Sequence, residues 1–382
     1  MKIIFWTSFV CVVYAYFLYP LLLIILGKLR KKINEVDDDA DFFPSVTLLL
    51  PVHNESAVIE SKLKNIIKLD YPKKLIEIII VSDGSTDNTL EIVETYKSDL
   101  TIKTKVVPDQ KGKANALNEG LQLVDTEIVV YTDASIMLEE ESLKNILKPF
   151  KIKEIGCVSG EDYIFGSKGG EGLYGQYELF LRNKESKIDS IVGASGSFYA
   201  QRSNLVRPFE EGLAPDFLSV LNTVEAGFRA ITEPTAIGIM SASTSTSKEF
   251  DRKVRTLLRG MTALFSRFRL LNPIRYRWFS VFLFSHKIMR WLVPFFLILL
   301  LTSSILLADY LFYYVAFIAQ ALFYTIGVIA IPKNSLLHDS IVGKIPLFFT
   351  MVNIAILKAW VMYYFGKRQE VWQPTKRDHI EK

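Results

Sequence analysis

Residues 3–27, IIFWTSFVCVVYAYFLYPLLLIILG, contain no charged side chain. About 20 apolar residues suffice to cross the hydrocarbon core of a bilayer as a helix, so an N-terminal transmembrane anchor is expected here. A cleaved signal peptide fits less well. The apolar run is too long, only Lys2 precedes it, and no small-residue cleavage site follows. The basic cluster Lys28-Leu29-Arg30-Lys31-Lys32 comes next. Positive flanks stay in the cytoplasm, which points the N-terminus outward and the following region inward.

Half of the 382 residues are hydrophobic, close to the soluble norm, so the excess is local. A second apolar block, 291–331, is divided by Asp309 into Trp291–Ala308 and Tyr310–Ile331, each long enough to span. A third, Ile345–Phe365, is interrupted by Lys358, and its polar residues Thr350, Asn353 and Lys358 share one helical face. A crossing there would place Lys367, Arg368, Lys376 and Arg377 outside, against the charge rule, so an interfacial or half-buried helix is expected. The resulting plan is an anchor over 1–32, a cytoplasmic domain over 33–250, basic interfacial helices over 251–290, a membrane region over 291–366 and a cytoplasmic tail over 367–382. The two cysteines, Cys11 and Cys157, suggest neither a disulfide nor a metal site, and the four histidines show no ligand spacing. Juxtamembrane Lys and Arg account for the net charge of +4, so nucleic acid is not implied as a partner, whereas membrane lipid is.

Between the membrane blocks, strand-like and helix-like patterns alternate. Val46–Val52, Ile76–Val81, Ile102–Val107 and Glu127–Thr132 read as strands, and Glu55–Leu69, Leu90–Tyr96 and Lys113–Val124 as helices. That alternation implies an α/β fold, a parallel or mixed sheet covered on both faces. Polar residues concentrate after the strands: PVHNE, SDGSTDNT, DQKGKANALN and DAS. One sheet edge therefore gathers Asp83, Lys111, Lys113 and Asp133, at the carboxyl ends where open α/β sheets bind ligands. The stretch VSDGSTDNT has a plain reading as a strand-to-helix turn capped by Asp87 or Asn88, which leaves Asp83 unexplained. No GxGxxG follows the first strand and no GxxxxGK[ST] occurs, which removes support for dehydrogenase and P-loop readings. Carboxylates, lysines and a metal suit a nucleoside diphosphate instead: an Asp accepts from a base or ribose, lysines balance phosphate, and a strand-end Asp holds Mg²⁺ or Mn²⁺.

The runs PVHNE, VSDGSTDNT, KGKANALNEGL and YTDAS resemble the nucleotide-sugar half of the family 2 glycosyltransferases with the GT-A fold. Further on, YELFLRNKESKIDSIVGASGSFYAQRS resembles the acceptor side of the membrane-bound members. APDFLSVLNTVEAGFRAITEPTA resembles their catalytic-carboxylate segment, and FSHKIMRWLVP their helix leading into the membrane. The resemblance covers roughly residues 46 to 300, in order, and points to the group that includes cellulose and poly-N-acetylglucosamine synthases. It implies a GT-A mixed sheet flanked by helices, with one N-terminal and two to three C-terminal transmembrane or interfacial helices.

The resemblance also implies roles. Pro51, Glu55, Asp83, Lys113 and Asp133 would contact the donor nucleotide, with Asp83 reading the uracil. Glu55 competes with a plain turn in which Asn54 caps the next helix. Lys113 opens a helix, where a cation is disfavoured unless an anion relieves it. Asp133 stands where relatives carry a DxD metal motif; here it reads Asp133-Ala134-Ser135, and a hydroxyl holds a hard cation more weakly than a carboxylate. Mg²⁺ or Mn²⁺ is still implied, with the diphosphate completing the ligands. Asp216, the second of two acids usual in relatives, would be the base for inverting transfer. Gly196 and Ser197 would approach the acceptor, although small residues also mark tight strand packing. Arg259 is the residue kept of the QxxRW of processive synthases, with Thr256 and Gly260 at the flanking positions; its plain alternative is a basic juxtamembrane helix.

The expected activity is transfer of a sugar from a UDP-sugar to a glycan or lipid-linked acceptor at the cytoplasmic face of a bacterial inner membrane, for cell-surface polysaccharide or glycolipid. The alternatives are a processive synthase that extrudes its polymer, a catalytically inactive nucleotide-sugar-binding scaffold, and a transporter, for which the hydrophobic segments are too few.

Overall fold

The computed structural model describes residues 1–29, 42–165, 170–241, 246–332, 334–338 and 340–367. The basic residues Arg30, Lys31 and Lys32 and the tail beyond Lys367, on which the cytoplasmic flanks were read, lie outside the described residues.

The N-terminal apolar run forms α1 (Lys2–Val13), a π-helical turn over Tyr14–Leu18, and α2 (Tyr19–Leu29). The charged region then folds as β1 (Val46–Val52), α3 (Ile59–Ile67), β2 (Ile76–Asp83), α4 (Thr89–Glu94), β3 (Ile102–Val107), α5 (Lys113–Leu121), β4 (Ile128–Thr132) and β5 (Met137–Leu138). It continues through α6 (Ser142–Leu147), β6 (Ile155–Phe165), α7 (Gly170–Ile188), β7 (Phe198–Arg202), α8 (Pro215–Glu225) and β8 (Arg229–Ser241). Helices α9 (Thr246–Ser266) and α10 (Pro273–Phe282) lead through a second π-helical turn, Leu283–Met289, into α11 (Arg290–Leu306), α12 (Leu311–Ile329) and α13 (Ile341–Tyr364).

The strands make one mixed sheet in the order β3-β2-β1-β4-β7-β6-β8-β5. β1 is parallel to both β2 and β4, and every one of its residues is buried, as expected for a strand covered on both faces. Side-chain alternation divides the core in two. Leu49, Ile79, Val81 and Val129 face one cluster with Ala116 and Leu117 of α5. Leu48, Leu50, Ile78, Ile80 and Val130 face the other with Ile59, Leu63 and Ile66 of α3. The chain places β2 on one side of β1 and returns to place β4 on the other, so the loops after β1 and β4 diverge at a switch point. The β1–β4 pairing ends at Leu49↔Tyr131, and Pro51, which has no N–H to offer a ladder, follows just beyond it.

The sequence placed β1 and β3 to the residue, while β2 runs two residues further, bringing Ser82 and Asp83 into register with Val106 and Val107. The membrane side differs more. Among the described residues four helices are long and apolar enough to cross a membrane: Lys2–Leu29, Pro273–Leu306, Leu311–Ile329 and Ile341–Tyr364. The second starts at Pro273, well before the expected Trp291, so the latter part of the interfacial segment, 273–290, continues into the membrane block, with a backbone kink at Arg277 (φ 49°). Each π turn precedes a proline, Pro20 or Pro294, whose missing N–H removes a regular helix bond and loosens the turn before it.

Helix α13 has the length to span, and it packs on other apolar helices as well as on the sheet side: Phe349 meets Phe323 of α12 and Trp360 meets Phe295 of α11. Phe348 meets Tyr174 of α7, Lys358 bonds Asp251 of α9 at 3.2 Å, Trp360 donates to the Trp291 carbonyl at 2.9 Å, and Tyr363 meets Phe265 of α9. The basic residues that follow α13 carry the expectation that both its ends lie on one side of the bilayer. Cysteine placed at Lys367 is therefore expected to react with an impermeant maleimide on the same side as cysteine at Lys28; labelling from opposite sides would establish a crossing.

Candidate active site

The site grows from the end of β2. Asp83 is fully buried, and its two carboxylate oxygens accept the backbone N–H groups of Lys111 and Gly112 at 2.9 and 2.7 Å. The turn at 109–112 is thus tied to the strand end, and Gly112 (φ 99°) delivers the chain into α5. Gly84 (φ +67°) makes the close approach feasible, because a Cβ there would lie 2.7 Å from the Gln110 nitrogen. Asp83 therefore acts on the loop, not on an open face, and any contact of its carboxylate with a base requires that turn to move.

The second half of VSDGSTDNT ties the turns after β1 and β2 together. Asn54 (φ 53°) accepts the Thr86 and Asp87 N–H groups at 2.8 and 3.3 Å, so it braces the neighbouring turn and does not cap its own helix. Asp87 accepts from the Thr89 N–H at 3.1 Å at the start of α4 and from the Ser56 N–H at 3.0 Å. Burial would raise its carboxyl, but these hydrogen bonds hold it below the usual carboxylate range. Glu55 lies here as well, its N–H donated to Thr89 Oγ1 at 2.9 Å. Pro51 and Glu55 border the switch point, apart from the polar cluster described next.

Lys113, the first residue of α5, reaches Asp133 Oδ1 at 2.5 Å and the Gly196 carbonyl at 3.0 Å. Asp133 donates its backbone N–H to the Ser197 carbonyl at 3.1 Å, so the strand-end carboxylate and the Gly196-Ser197 turn form one unit. On the far side of that turn, Asp216 opens α8 directly after Pro215; a Cβ on Gly196 would lie 4.0 Å from its carboxyl carbon. Burial pushes the Asp216 carboxyl up, with Lys113 and Lys287 pulling it partly back. Arg259 of α9 joins Lys111 and Lys113 around a small hollow closed by Gly212 and Pro215. Burial lowers its guanidinium, with Arg255 acting in the same direction and Asp216 opposing. The fold thus brings Lys113, Asp133, Gly196, Ser197, Asp216 and Arg259 together.

Asp216 also borders a cleft of about 150 Å³ between the sheet domain and the helix leading into the membrane, lined further by Gly193, Phe217, Thr256, Lys287 and Trp291. A Cβ on Gly260 would lie 3.6 Å from the Trp291 ring, so an indole from α11 covers Gly260 of α9.

Two lysines escaped the sequence reading. Lys62 of α3 is fully buried and donates to Thr132 Oγ1 at 2.8 Å and the Ile136 carbonyl at 2.6 Å, strapping the loop that carries Asp133. Burial pulls its ammonium down to about 7, against Asp133. In ESKLKNIIKL nothing distinguishes it from its solvated neighbours. Lys287 sits in FSHKIMRW, a stretch already singled out, but its direction depends on the π turn.

A β-sheet of this order with a cationic, carboxylate-bearing switch point is the GT-A nucleotide-sugar fold. A mannosyltransferase from Pyrobaculum calidifontis, PcManGT, solved with GDP-Man and Mn²⁺, shares it at a TM-score of 0.73, with 24% identity over 95% of this chain and 99% of that one. Residues 47–207 match the profile described as Glycosyl transferase family 2, and the chain carries a family 2 glycosyltransferase domain. Poly-β-1,6-N-acetyl-D-glucosamine synthase of Staphylococcus epidermidis is 36% identical over 120 residues, and that of Staphylococcus aureus strain COL 34% over 139. These matches span 31% and 36% of this chain and only 29% and 33% of the relatives.

Gly84→Ala tests the construction. The clash with Gln110 backbone and the positive φ are expected to cost about 1–3 kcal/mol of stability and to displace the Lys111–Lys113 segment. The variant should unfold at lower denaturant and bind nucleoside diphosphate more weakly; unchanged values for both would remove the Asp83 clamp from the site.

Proposed function

We propose that the chain is a membrane-anchored inverting glycosyltransferase that moves a sugar from a UDP-sugar to a hydroxyl of a glycan or lipid-linked acceptor at the cytoplasmic face. The observation that carries this reading is Asp216: a carboxylate raised by burial, set against Gly196, with the Lys113–Asp133 pair on one side and the cleft on the other. The diphosphate would lie against Lys113 and Arg259. The acceptor would enter the cleft with its hydroxyl on Asp216, which takes the proton as the oxygen attacks the anomeric carbon. Lys113 and Arg259 then balance the charge on the departing diphosphate, an electrostatic task that needs no covalent intermediate.

A divalent metal fits only with the nucleotide. Among the described residues no group of three or more His, Cys, Asp or Glu could hold an ion, and Asp133 is paired with Lys113. Asp133 would hold a metal whose other ligands come from the diphosphate, and the metal would supply charge neutralisation of the leaving group. The mannosyltransferase with GDP-Man and Mn²⁺ supports this donor chemistry and makes the base a point to test, since Asp83 is turned to the loop. Processive synthesis is the second reading, supported by Trp291 over Gly260 and by the poly-N-acetylglucosamine synthase relatives. Thr256 and Gly260, in place of the Gln and Trp of QxxRW, favour addition of one or a few sugars; long polymer formed while most acceptor stays unextended would reverse that order.

A panel of UDP-glucose, UDP-N-acetylglucosamine and GDP-mannose, read as acceptor-dependent nucleoside diphosphate release, tests the donor. Release from GDP-mannose alone would replace the uridine assignment. Asp216→Asn is expected to retain donor binding and lose roughly 10²–10⁴-fold in transfer. Because its folded pKa is raised, the wild-type rate should fall with decreasing pH on a limb above the ordinary aspartate range, where the base becomes protonated. A limb at the ordinary value, or near-normal transfer by the variant, would exclude Asp216 as the base. For the metal, nucleotide binding by the chelator-treated protein should strengthen on adding Mn²⁺, and Asp133→Asn should abolish that gain; metal-independent binding and turnover would count against it.

A further inference from the structure

The inner wall of the cleft is an ionic network shared by three elements. His286 lies in the second π turn, with Nδ1 2.7 Å from Glu185 Oε1 and Nε2 2.9 Å from Glu178 Oε2. Tyr19 of α2 donates to Glu185 at 2.5 Å, and Arg290 bonds Glu178 and the Tyr174 hydroxyl. Arg182 of α7 is committed to Ser159 Oγ at 3.0 Å and the Gly160 carbonyl at 3.3 Å. Lys287 is the exception. Among the described residues it makes no hydrogen bond or ion pair; its ammonium lies over the Phe217 ring at 5.7 Å and beside Gly193.

Proton counting gives the charge. A neutral imidazole has one donor and one acceptor nitrogen, so with both glutamates ionised one ring nitrogen would turn a lone pair on a carboxylate. One extra proton is needed, on the ring or on a glutamate. In either placement the set of Glu178, Arg182, Glu185, Asp216, His286, Lys287 and Arg290 carries one net positive charge, and every cation but Lys287 is already engaged. A partly buried ammonium with no ionic partner among the described residues is stabilised by an anion placed against it. A cleft of about 150 Å³ bordered by both Asp216 and Lys287 has room for a six-membered ring that reaches the two together.

We propose that the cleft is built for an acidic acceptor: Lys287 receives a phosphate or carboxylate while a neighbouring hydroxyl faces Asp216. This rests on Asp216 marking the acceptor side, as proposed above. The anion has two sources, a sugar or a lipid headgroup, and both present the same chemistry to Lys287.

The test uses the full chain in neutral detergent. UDP and GDP with Mg²⁺ are titrated first, and the donor side is then held saturated with whichever binds. Calorimetry follows with glucose, glucose 6-phosphate, glucuronate, dihexanoyl phosphatidate and dihexanoyl phosphatidylcholine. Charge-assisted hydrogen bonds predict that anionic probes bind roughly tenfold or more tightly than their neutral counterparts. Lys287→Gln should erase that preference and Lys287→Arg keep it, with nucleotide binding reporting that each variant is folded. Preference for phosphatidate alone assigns the anion to a lipid, and preference for glucose 6-phosphate or glucuronate assigns it to a sugar. Equal binding of neutral probes, absence of anion binding, or an unaltered preference in a folded Lys287→Gln overturns the inference; should that variant not fold, the wild-type comparison decides. Failure to bind either nucleotide would instead strike the glycosyltransferase reading itself.

Discussion

The Asp83 carboxylate is the joint on which the donor side turns. It is buried at the end of β2 and holds two consecutive N–H groups of the loop that follows β3. Hydrogen bonds to a charged acceptor contribute roughly 1.5–3 kcal/mol each, enough to fix a short turn. Because α5 starts directly after that turn, the same bonds set where Lys113 begins its reach to Asp133 and Gly196. One side chain thereby sets the position of the loop that leads to the Lys113–Asp133 pair and the Gly196 carbonyl.

Lys113 and Lys62 show two ways of using a lysine beside one aspartate. Lys113 opens a helix, against the macrodipole, and its half-buried ammonium is stabilised by Asp133. On the proposed function an incoming diphosphate would offer a stronger anion, which suits the ion pair to exchange. Lys62 works from beneath, with its ammonium in the apolar cluster and its hydrogen bonds given to Thr132 and Ile136 on either side of the Asp133-Ala134-Ser135 loop. The first lysine can leave its partner for a ligand; the second holds the platform still.

The first four strands were legible because β1, β2 and β4 are mostly apolar runs ending in polar turns, a pattern that needs no long-range information, whereas β5 to β8 were not assigned. The residues of the polar cluster were legible as types at strand ends. Their partners were not. That Asp83 faces a backbone turn and not open space depends on the path of 109–112, which no local period encodes. The wall formed by Glu178, Glu185, His286 and Arg290 depends on α2, α7 and the π turn meeting, and the three are far apart in the chain. The merging of 273–290 with the following membrane helix was hidden by its arginines, which a composition rule reads as interfacial.

Trp291 has a further meaning. Its carbonyl is held by Trp360 of α13, its ring covers Gly260 of α9, and its helix carries Lys287 one turn earlier. On the proposed function, one face of the reaction chamber would therefore be made of the candidate membrane helices themselves. A soluble fragment trimmed to the α/β sheet would keep the donor half and lose a wall, becoming a nucleotide-binding domain open to water where the acceptor should dock. On the proposed function the candidate membrane helices would share in acceptor choice, and detergent or bilayer composition would act on the same surface as the acceptor.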